Sequence, residues 1–304
     1  MIKGIALLLI TVIAWGVMYP SSKTATEVGI DGFYLSSIRY GFGVILTSLI
    51  LLFSEGIKAF DYEGNFLKLA IYGTVGFAGL NIFTFVGISL SSAEHATIIF
   101  ALLPMIGILL NWLFDGVKPS LYTLVFASIS FAGIIIVITK LNFSASLSHS
   151  MIGDILLLIA TVSWALYTYF MRQFSHWSAL RATVLSSIPG TFSILLITAI
   201  VTMFNISTAP AVNTVQTVFL PLAILVATTA VIVTWNAGIK ELGIVNGILF
   251  VNLVPIVTFF IGYLYGNPIT KVEIIGAALT IFALTANNLY SRKTSPQKEY
   301  QVAD

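Results

Sequence analysis

The chain consists of long apolar runs separated by short polar breaks, and this pattern constrains its fold more than any other feature. An α-helix needs about 20 mostly apolar residues to cross the hydrocarbon core of a bilayer. The ten predicted spans are 4–22, 33–53, 67–89, 94–114, 121–139, 152–171, 181–203, 216–238, 244–265 and 272–290. No break between them is long enough to hold a separate domain. The sequence therefore predicts an all-α integral membrane protein of about ten transmembrane helices.

The charged residues are too few for a soluble protein of this size. They make up 9% of the chain, against about 25% in soluble domains, and the mean hydropathy is +1.01. This apolar composition predicts the lipid bilayer as a partner. The small net charge of +2 and the scattered basic residues argue against nucleic acid as a partner. Cysteine is absent and the three histidines are widely separated, so the sequence predicts no metal site and no cofactor.

The distribution of lysine and arginine predicts how the spans are oriented. Cytoplasmic loops carry an excess of these residues. With the N-terminus in the cytoplasm, three basic residues fall outside and ten fall inside. The inside residues are Lys3, Lys58, Lys68, Lys118, Arg172, Arg181, Lys240, Arg292, Lys293 and Lys298. This bias supports an even number of spans and predicts a multi-pass protein of the cell membrane with both termini in the cytoplasm.

The two halves of the chain share weak matches at nearly one sequence offset. The matched pairs are Trp15 with Trp164, Pro104 with Pro255, and Pro119 with Pro268, at offsets of 149, 151 and 149 residues. They predict a duplicated five-helix unit over residues 1–145 and 146–292, with a cytoplasmic tail at 293–304. Because five is odd, the second copy must be inverted in the membrane. Inverted repeats are typical of alternating-access transporters.

Several short motifs occur in both halves in an order and spacing that resemble a known family. They are Trp15-Gly16, Lys23, Arg39 and Ala93–Pro104 in the first half, and Ala160–Tyr167, Arg172, Asn246-Gly247, Val254-Pro255 and Gly276–Ala278 in the second. Through these motifs the chain resembles the EamA family of the drug/metabolite transporter superfamily over nearly its whole length. The resemblance implies two inverted five-helix repeats around a central cavity. It also implies secondary transport, often export, of amino acids and other small metabolites.

Arg39 is an ionisable residue inside a predicted span. A charge in the hydrocarbon core is costly, so such a residue is a candidate functional group. Arg39 can anchor a carboxylate or phosphate of a substrate. The alternative is that its side chain extends to the membrane surface or pairs with a loop acid such as Asp31.

Aromatic and amide side chains within the spans are the other candidates for lining a substrate cavity. Trp15 and Trp164 hold equivalent places in the two repeats, and an amide inside a span needs a partner on another helix or in water. The full candidate set is Trp15, Tyr19, Arg39, Asn81, Trp164, Tyr167, Trp235, Asn236, Asn246 and Asn252. Interhelical packing and hydrogen bonding are the alternative role for the aromatic and amide members.

Glu94 and His95 open the fourth span after a tight turn. A glutamate beside a histidine can take up and release protons, so this pair is the candidate for proton coupling. The alternative is that Glu94 caps the helix N-terminus, where the helix dipole favours a negative charge. Asp154 is predicted to cap the sixth span in the same way, and Lys23 is predicted to pair with Glu27 one turn away.

Gly79, Pro104 and Pro255 are the candidate hinge and kink positions. Gly73 and Gly76 precede Gly79 at three-residue spacing, and small residues let helices approach closely, so packing is the first expectation there. A proline inside a helix removes a backbone hydrogen bond. Since each repeat carries one proline at an equivalent place, paired kinks are expected.

These features favour a secondary transporter over an enzyme. The sequence has no Walker A motif and no zinc-protease motif. The few buried charges favour a zwitterionic or neutral small-molecule substrate, such as an amino acid, that is exported by alternating access with protons as the candidate coupling ion. The first alternative is an uptake carrier or antiporter for an anionic or nucleotide-like metabolite. An integral membrane enzyme or a channel is the second.

Overall fold

The fold is that of a computed structural model, which describes residues 2–139, 149–242, 250–251, 253–266 and 269–294. All regular secondary structure within these ranges is helical. The helices are α1 (Ile2–Glu27), α2 (Gly32–Glu55), α3 (Phe66–Gly73), α4 (Leu80–Leu90), α5 (Ala93–Phe100), α6 (Leu103–Asp115), α7 (Leu121–Thr139), α8 (His149–Met171), α9 (Ala179–Met203), α10 (Val212–Thr217), α11 (Phe219–Ala230), α12 (Ile232–Leu242), α13 (Val254–Leu264) and α14 (Lys271–Thr294). A π-helical segment, Thr74–Gly79, joins α3 to α4.

The helices coincide with the apolar runs of the sequence. Within the described ranges, six stretches are long and apolar enough to cross a bilayer: Ile2–Glu27, Gly32–Glu55, Phe66–Leu90, Ala93–Asp115, Ser150–Phe174 and Ala179–Met203. Shorter apolar helices cover Leu121–Val137, Phe219–Trp235 and Val254–Leu264. The prediction of an all-α membrane protein is therefore confirmed. Residues 243–249 and 252 of the ninth predicted span, and Pro268, lie outside the described ranges.

Two prolines lie inside long helices, and each frees a backbone carbonyl that another helix or loop then satisfies. Pro20 in α1 cannot donate to the carbonyl of Gly16, which instead accepts a hydrogen bond of 2.9 Å from the Thr258 hydroxyl of α13. Pro189 in α9 likewise frees the carbonyl of Leu185, which accepts a hydrogen bond of 3.1 Å from the Tyr62 hydroxyl. A freed carbonyl in lipid needs such a partner, so both prolines tie distant parts of the chain together.

The helices of the two halves pack reciprocally. The third span of each half packs on the first span of the other, as α4 on α8 and α12 on α1. Equivalent spans also pack on each other, as α2 on α9 and α7 on α14. The close contact of Gly87 with Gly153 recurs between Gly238 and Gly4. Such reciprocity is what an approximate twofold relation between inverted repeats produces.

The glycines of the third span face helices of the second half. A Cβ atom on Gly73 would overlap the Ser186 carbonyl, and one on Gly76 would overlap the Tyr167 ring. One on Gly79 would lie 2.9 Å from the Ser163 hydroxyl. The expected close packing of this glycine series is confirmed, whereas a hinge at Gly79 stays a prediction.

Candidate functional site

Arg39 lies in the interior of the helical bundle. Its side chain is buried, with 8% of the residue exposed, and Nη1 donates a hydrogen bond of 2.7 Å to Oδ1 of Asn81. Asn81 is fully buried, and its amide donates a hydrogen bond of 2.7 Å to the Phe77 carbonyl. The sequence-predicted residues Arg39 and Asn81 are thus brought together by α2 and α4.

Arg39 has no acidic partner in the part of the chain that the structure describes. Asp31, the loop acid considered from the sequence, caps α2 instead by accepting from the backbone N–H groups of Phe33 and Tyr34 at 2.9 and 3.0 Å. Asp31 also accepts a hydrogen bond from the Ser207 hydroxyl. The Nε atom of Arg39 is buried and makes no hydrogen bond to any residue that the structure describes. A buried cation in this state is costly until an anion reaches it.

Four aromatic residues, Tyr40, Phe77, Trp164 and Tyr167, pack beside Arg39 and are called the aromatic cluster below. The guanidinium lies 5.3 Å from the Tyr40 ring centre. Phe77 contacts the other three rings at centroid distances of 5.4, 5.6 and 5.1 Å. Trp164 and Tyr167 also contact each other at 4.8 Å. The cluster therefore joins α2 and the third span to α8 of the other half.

Phe77 lies at the centre of this cluster, and sequence reasoning missed it. It is 2% exposed and belongs to the π-helical segment. Such segments occur frequently at functional sites. A phenylalanine in an apolar span looks like any core residue, but Phe77 precedes Asn81 by one turn, and that spacing is the signal that was available.

Trp15 and Trp235 form a second aromatic contact, between α1 and α12. Their ring centres lie 5.4 Å apart. Tyr19, one turn beyond Trp15 on α1, is buried at 5% exposure. The structure therefore brings two of the aromatic candidates of the first and eighth spans together.

The remaining amide candidates lie where the structure gives no side-chain account. Asn246 and Asn252 fall outside the described residues, and Asn236 is described only as part of the backbone of α12. Their proposed cavity role stays a prediction.

The candidate pair Glu94 and His95 lies near the start of α5, and neither side chain caps that helix. Ser92 is the cap, since its hydroxyl accepts a hydrogen bond of 3.1 Å from the His95 backbone N–H. Glu94 is buried at 9% exposure, packs against Gly262 of α13, and has an Oε1 atom without a hydrogen-bond partner.

His95 is held between two acidic residues of the other half, and with Ser91 they form what is called the His95 cluster below. Nδ1 lies 3.0 Å from Oδ1 of Asp154, and Nε2 lies 3.4 Å from Oε1 of Glu273. The Ser91 hydroxyl donates a hydrogen bond of 2.5 Å to the same Asp154 oxygen. An imidazole that donates from both nitrogens carries a positive charge.

Two sequence interpretations in this region are wrong. Asp154 does not cap its helix, because α8 begins earlier, at His149, and the Asp154 side chain accepts from Ser91 and His95 instead. Lys23 does not pair with Glu27. Its ammonium group donates to the carbonyls of Ile88 and Ser91 at 3.1 and 2.8 Å, where the C-terminal end of α4 favours a cation.

Glu273 was missed, although its sequence context carries a signal. Its second carboxylate oxygen accepts from the backbone N–H and the hydroxyl of Thr270 at 2.8 and 2.7 Å. Its own backbone N–H donates to the Thr270 hydroxyl at 3.2 Å. This is a capping box, which Thr270-Lys271-Val272-Glu273 indicates before an apolar run. The capping box fixes Glu273 at the same end of the bundle as His95.

The helices break at both candidate kink prolines. The fourth span leaves the helical path at Ala101-Leu102, and Pro104 lies in the first turn of α6. Pro255 lies in the first turn of α13, after a turn at Leu253. Proline suits the first helical turn because the N–H groups there have no partner within the helix. A hinge role for either proline stays a prediction.

Polar contacts also join the two halves at the opposite end of the bundle, called here the Glu63 end; the end with the His95 cluster is the Ser91 end. Arg181 donates to Glu63 at 2.8 Å, and Trp177 donates to the same carboxylate at 3.1 Å. These hydrogen bonds lower the pKa of the Glu63 side chain. Arg172 pairs with Asp115 at 3.0 Å. Both ends of the contact between the halves are thus held by side-chain pairs.

Two openings in the described part of the chain lie away from Arg39. A groove of about 520 Å³ between α2 and α9 is lined by residues such as Ser37 and Thr198. An apolar opening of about 180 Å³ reaches Asp154 from the side of α7 and α8. Neither of these two openings is lined by Arg39 or Trp164.

The protein has many helical spans, and its two halves pack reciprocally with buried polar residues at their contact. This is the architecture of secondary transporters built from inverted repeats. The sequence profile of the EamA-like transporter family matches residues 2–139 and 151–289. The chain belongs to this family.

Individual proteins agree with the family match. An uncharacterized transporter of Bacillus subtilis strain 168, YrdR, is 35% identical over 292 residues, which cover 94% of this chain and 91% of the relative. A second from the same strain, the uncharacterized transporter YyaM, is 30% identical over 259 residues, 83% of each chain. A solved crystal structure superposes with a TM-score of 0.65 at 15% identity, covering 95% of this chain and 98% of the other. The relatives indicate a transporter and not an enzyme, and the crystal structure shows the fold alone.

Proposed function

We propose that this protein is an alternating-access carrier of a small metabolite that bears a carboxylate, with amino acids as the substrate class. The observation that carries the proposal is the state of Arg39. It is a buried cation with one amide partner, an unpaired Nε and no acidic partner in the described residues. A planar guanidinium is suited to binding a carboxylate through two parallel hydrogen bonds.

The surroundings of Arg39 favour a zwitterionic substrate over a multiply charged one. Among the described residues, Arg39 is the one cation in contact with the aromatic cluster, through Tyr40, so one negative group of the substrate can be neutralised there. The other polar group at hand, the Asn81 amide, can orient a bound molecule. Tyr40, Trp164 and Tyr167 offer ring faces that limit its width and can lie against an ammonium group. A nucleotide-like anion would need more basic residues.

The contacts between the halves support alternating access. The His95 cluster joins them at the Ser91 end, and the pairs of Glu63 with Arg181 and of Asp115 with Arg172 join them at the Glu63 end. Opening one end while the other stays closed would expose the Arg39 region to one side at a time. Gly79, Pro104 and Pro255 are the proposed bending positions. We place the protein in the cell membrane with both termini in the cytoplasm, and export is the proposed direction.

The proposal is tested by comparing extracellular metabolites of cells that overproduce the natural protein, Arg39→Gln or Lys68→Gln at equal membrane levels. Lys68→Gln is the matched control, because Lys68 is exposed and also carries a positive charge. We expect a small set of carboxylate-bearing compounds to accumulate outside with the natural protein and Lys68→Gln but not with Arg39→Gln. If such compounds were instead depleted from the medium, the direction of transport would be uptake and not export. A set that lacks carboxylates, or equal accumulation with Arg39→Gln, would contradict the proposal.

A further inference from the structure

The His95 cluster is a second buried group of ionisable residues, separate from Arg39, and it spans the contact between the two halves. His95 belongs to α5 of the first half, whereas Asp154 and Glu273 belong to α8 and α14 of the second. All three are at most 8% exposed. Whenever α5 moves away from α8 and α14, these ion pairs must break.

The charges around the cluster come from four helices. Lys23 of α1 donates to the Ser91 and Ile88 carbonyls, so its charge lies beside the Ser91 side chain that contacts Asp154. Glu94, next to His95 on α5, faces Gly262 of α13. With His95, Asp154 and Glu273, the region holds five ionisable groups, of which three are carboxylic acids. Because the acids outnumber the two basic groups, this region can bind added protons.

Separating this ion pair without a proton is unfavourable. Moving His95 away from Asp154 leaves unpaired charges in a desolvated position, which is strongly unfavourable. Transfer of the His95 proton to Asp154, together with uptake of one proton from solution by Glu273, leaves all three groups uncharged before the helices separate. The geometry therefore couples proton uptake to separation of the halves at this end.

We propose that Asp154, His95 and Glu273 form a proton-binding site that closes the Ser91 end, and that proton uptake by the carboxylates releases α5 from α8 and α14. The inference rests on the proposed transport function, because the Ser91 end is taken to be one end of the substrate pathway. It adds the coupling ion and assigns the proton to acids of the second half, whereas the sequence pointed to Glu94 and His95 alone.

The absence of cysteine from the chain gives a direct test that needs no substrate. Ala96 follows His95 on α5 and is 2% exposed, so Ala96→Cys places a small thiol behind the closed cluster. Ser89→Cys, at an exposed position near the same end, is the reference. The rate at which each purified variant reacts with a maleimide is measured in detergent between about pH 8 and pH 5. This range contains the ordinary pKa of imidazole, and burial raises the pKa of an unpaired carboxyl group into it. Because thiols themselves react more slowly at lower pH, the ratio of the two rates is the readout.

We expect the ratio of the Ala96→Cys rate to the Ser89→Cys rate to rise at least about tenfold from pH 8 to pH 5. Adding Asp154→Asn should raise the ratio at pH 8 and reduce its pH dependence, since one of the two ion pairs of His95 is already lost. Glu273→Gln is a second, milder variant that should reduce the pH dependence if Asp154→Asn does not fold. Glu55→Gln, which removes an exposed carboxylate at the Glu63 end, should leave the pH dependence unchanged.

A ratio that does not change with pH would overturn the inference. Full pH dependence in folded Asp154→Asn and Glu273→Gln would overturn it as well. Since the labelling involves no substrate, failure here leaves the Arg39 proposal standing, and failure of the metabolite comparison does not alter the labelling result.

Discussion

At the scale of single residues, the interior of this protein depends on how a few polar groups are satisfied. The Arg39 guanidinium donates one hydrogen bond to the Asn81 side-chain oxygen, and the Asn81 amide nitrogen donates to the Phe77 carbonyl. If Asn81 were replaced by an apolar residue, Nη1 of Arg39 would join Nε as a buried donor without an acceptor. A hydrogen bond to a charged group is worth about 1.5–3 kcal/mol in such a setting.

We therefore expect Asn81→Leu to lower the free energy of unfolding by about 1.5–3 kcal/mol, because it leaves the buried Arg39 without its acceptor. Thermal unfolding of the purified protein in detergent measures the change. Asn213→Ala, at an exposed position on α10, is the control and should have little effect. An Asn81→Leu protein as stable as the control would show that Arg39 does not depend on Asn81.

Sequence reasoning singled out residues that are unusual in lipid. Among them Arg39, Asn81, Trp164 and Tyr167 lie in one region of the structure, together with Tyr40 and Phe77, which sequence reasoning did not name. Their role in the substrate site stays a prediction. Phe77 was missed because an apolar residue in an apolar span carries no signal of its own.

The acids of the His95 cluster show why contacts between distant helices escape such reasoning. Asp154 was assigned to a helix cap from its position alone, and its true partners come from the third and fourth spans, about 60 residues earlier. No local pattern of the sequence specifies which spans become neighbours. The repeat predicted which spans of the two halves are equivalent, but not which spans or side chains face each other.

At the scale of secondary-structure elements, two long helices each lose one backbone hydrogen bond at a proline, and another part of the chain supplies the missing donor. The Gly16 carbonyl, freed by Pro20, accepts from Thr258, and the Leu185 carbonyl, freed by Pro189, accepts from Tyr62. Each interruption is thus coupled to a tertiary contact. The span boundaries were predictable from hydropathy, whereas these partners were not.

This coupling predicts a non-additive pair of substitutions. Thr258→Val keeps the shape of a fully buried side chain but leaves the Gly16 carbonyl unpaired, so it should destabilise the protein by about 1–3 kcal/mol. In a Pro20→Ala background the new backbone N–H can donate to that carbonyl, so the cost of Thr258→Val should fall below about 0.5 kcal/mol. Unfolding of the four proteins in detergent gives the cycle. Equal costs in both backgrounds would refute the link between Pro20 and Thr258.

At the scale of the whole molecule, two inverted halves are held together at both ends by side-chain pairs. The Glu63 end joins a loop of the first half to the start of α9 in the second through Arg181. Hydrogen bonds from Arg181 and Trp177 lower the pKa of Glu63, so the ionised carboxylate is favoured in the folded protein. The resulting stabilisation is present above the unfolded-state pKa and is lost as the pH falls through the lower folded-state pKa.

The pH dependence of this contact can be measured with Glu63→Gln. Its thermal midpoint should lie below that of the natural protein near neutral pH, and the difference should shrink as the pH falls below about 4. Glu27→Gln, an exposed acid at the Ser91 end, should show no such convergence. A difference that stays constant at all pH values would mean that the Glu63 charge does not contribute to the contact.

The most direct test of the central claim, a carrier that binds its substrate carboxylate through Arg39, is counterflow in proteoliposomes. The vesicles would contain the purified protein and the unlabelled metabolite identified from the secretion comparison, with the labelled compound added outside. The account predicts saturable uptake stimulated by the internal compound for the natural protein and Lys68→Gln, and its loss in Arg39→Gln. Flux that rises linearly with concentration, without stimulation from inside, would indicate a channel, and undiminished counterflow in Arg39→Gln would contradict the proposed role of Arg39.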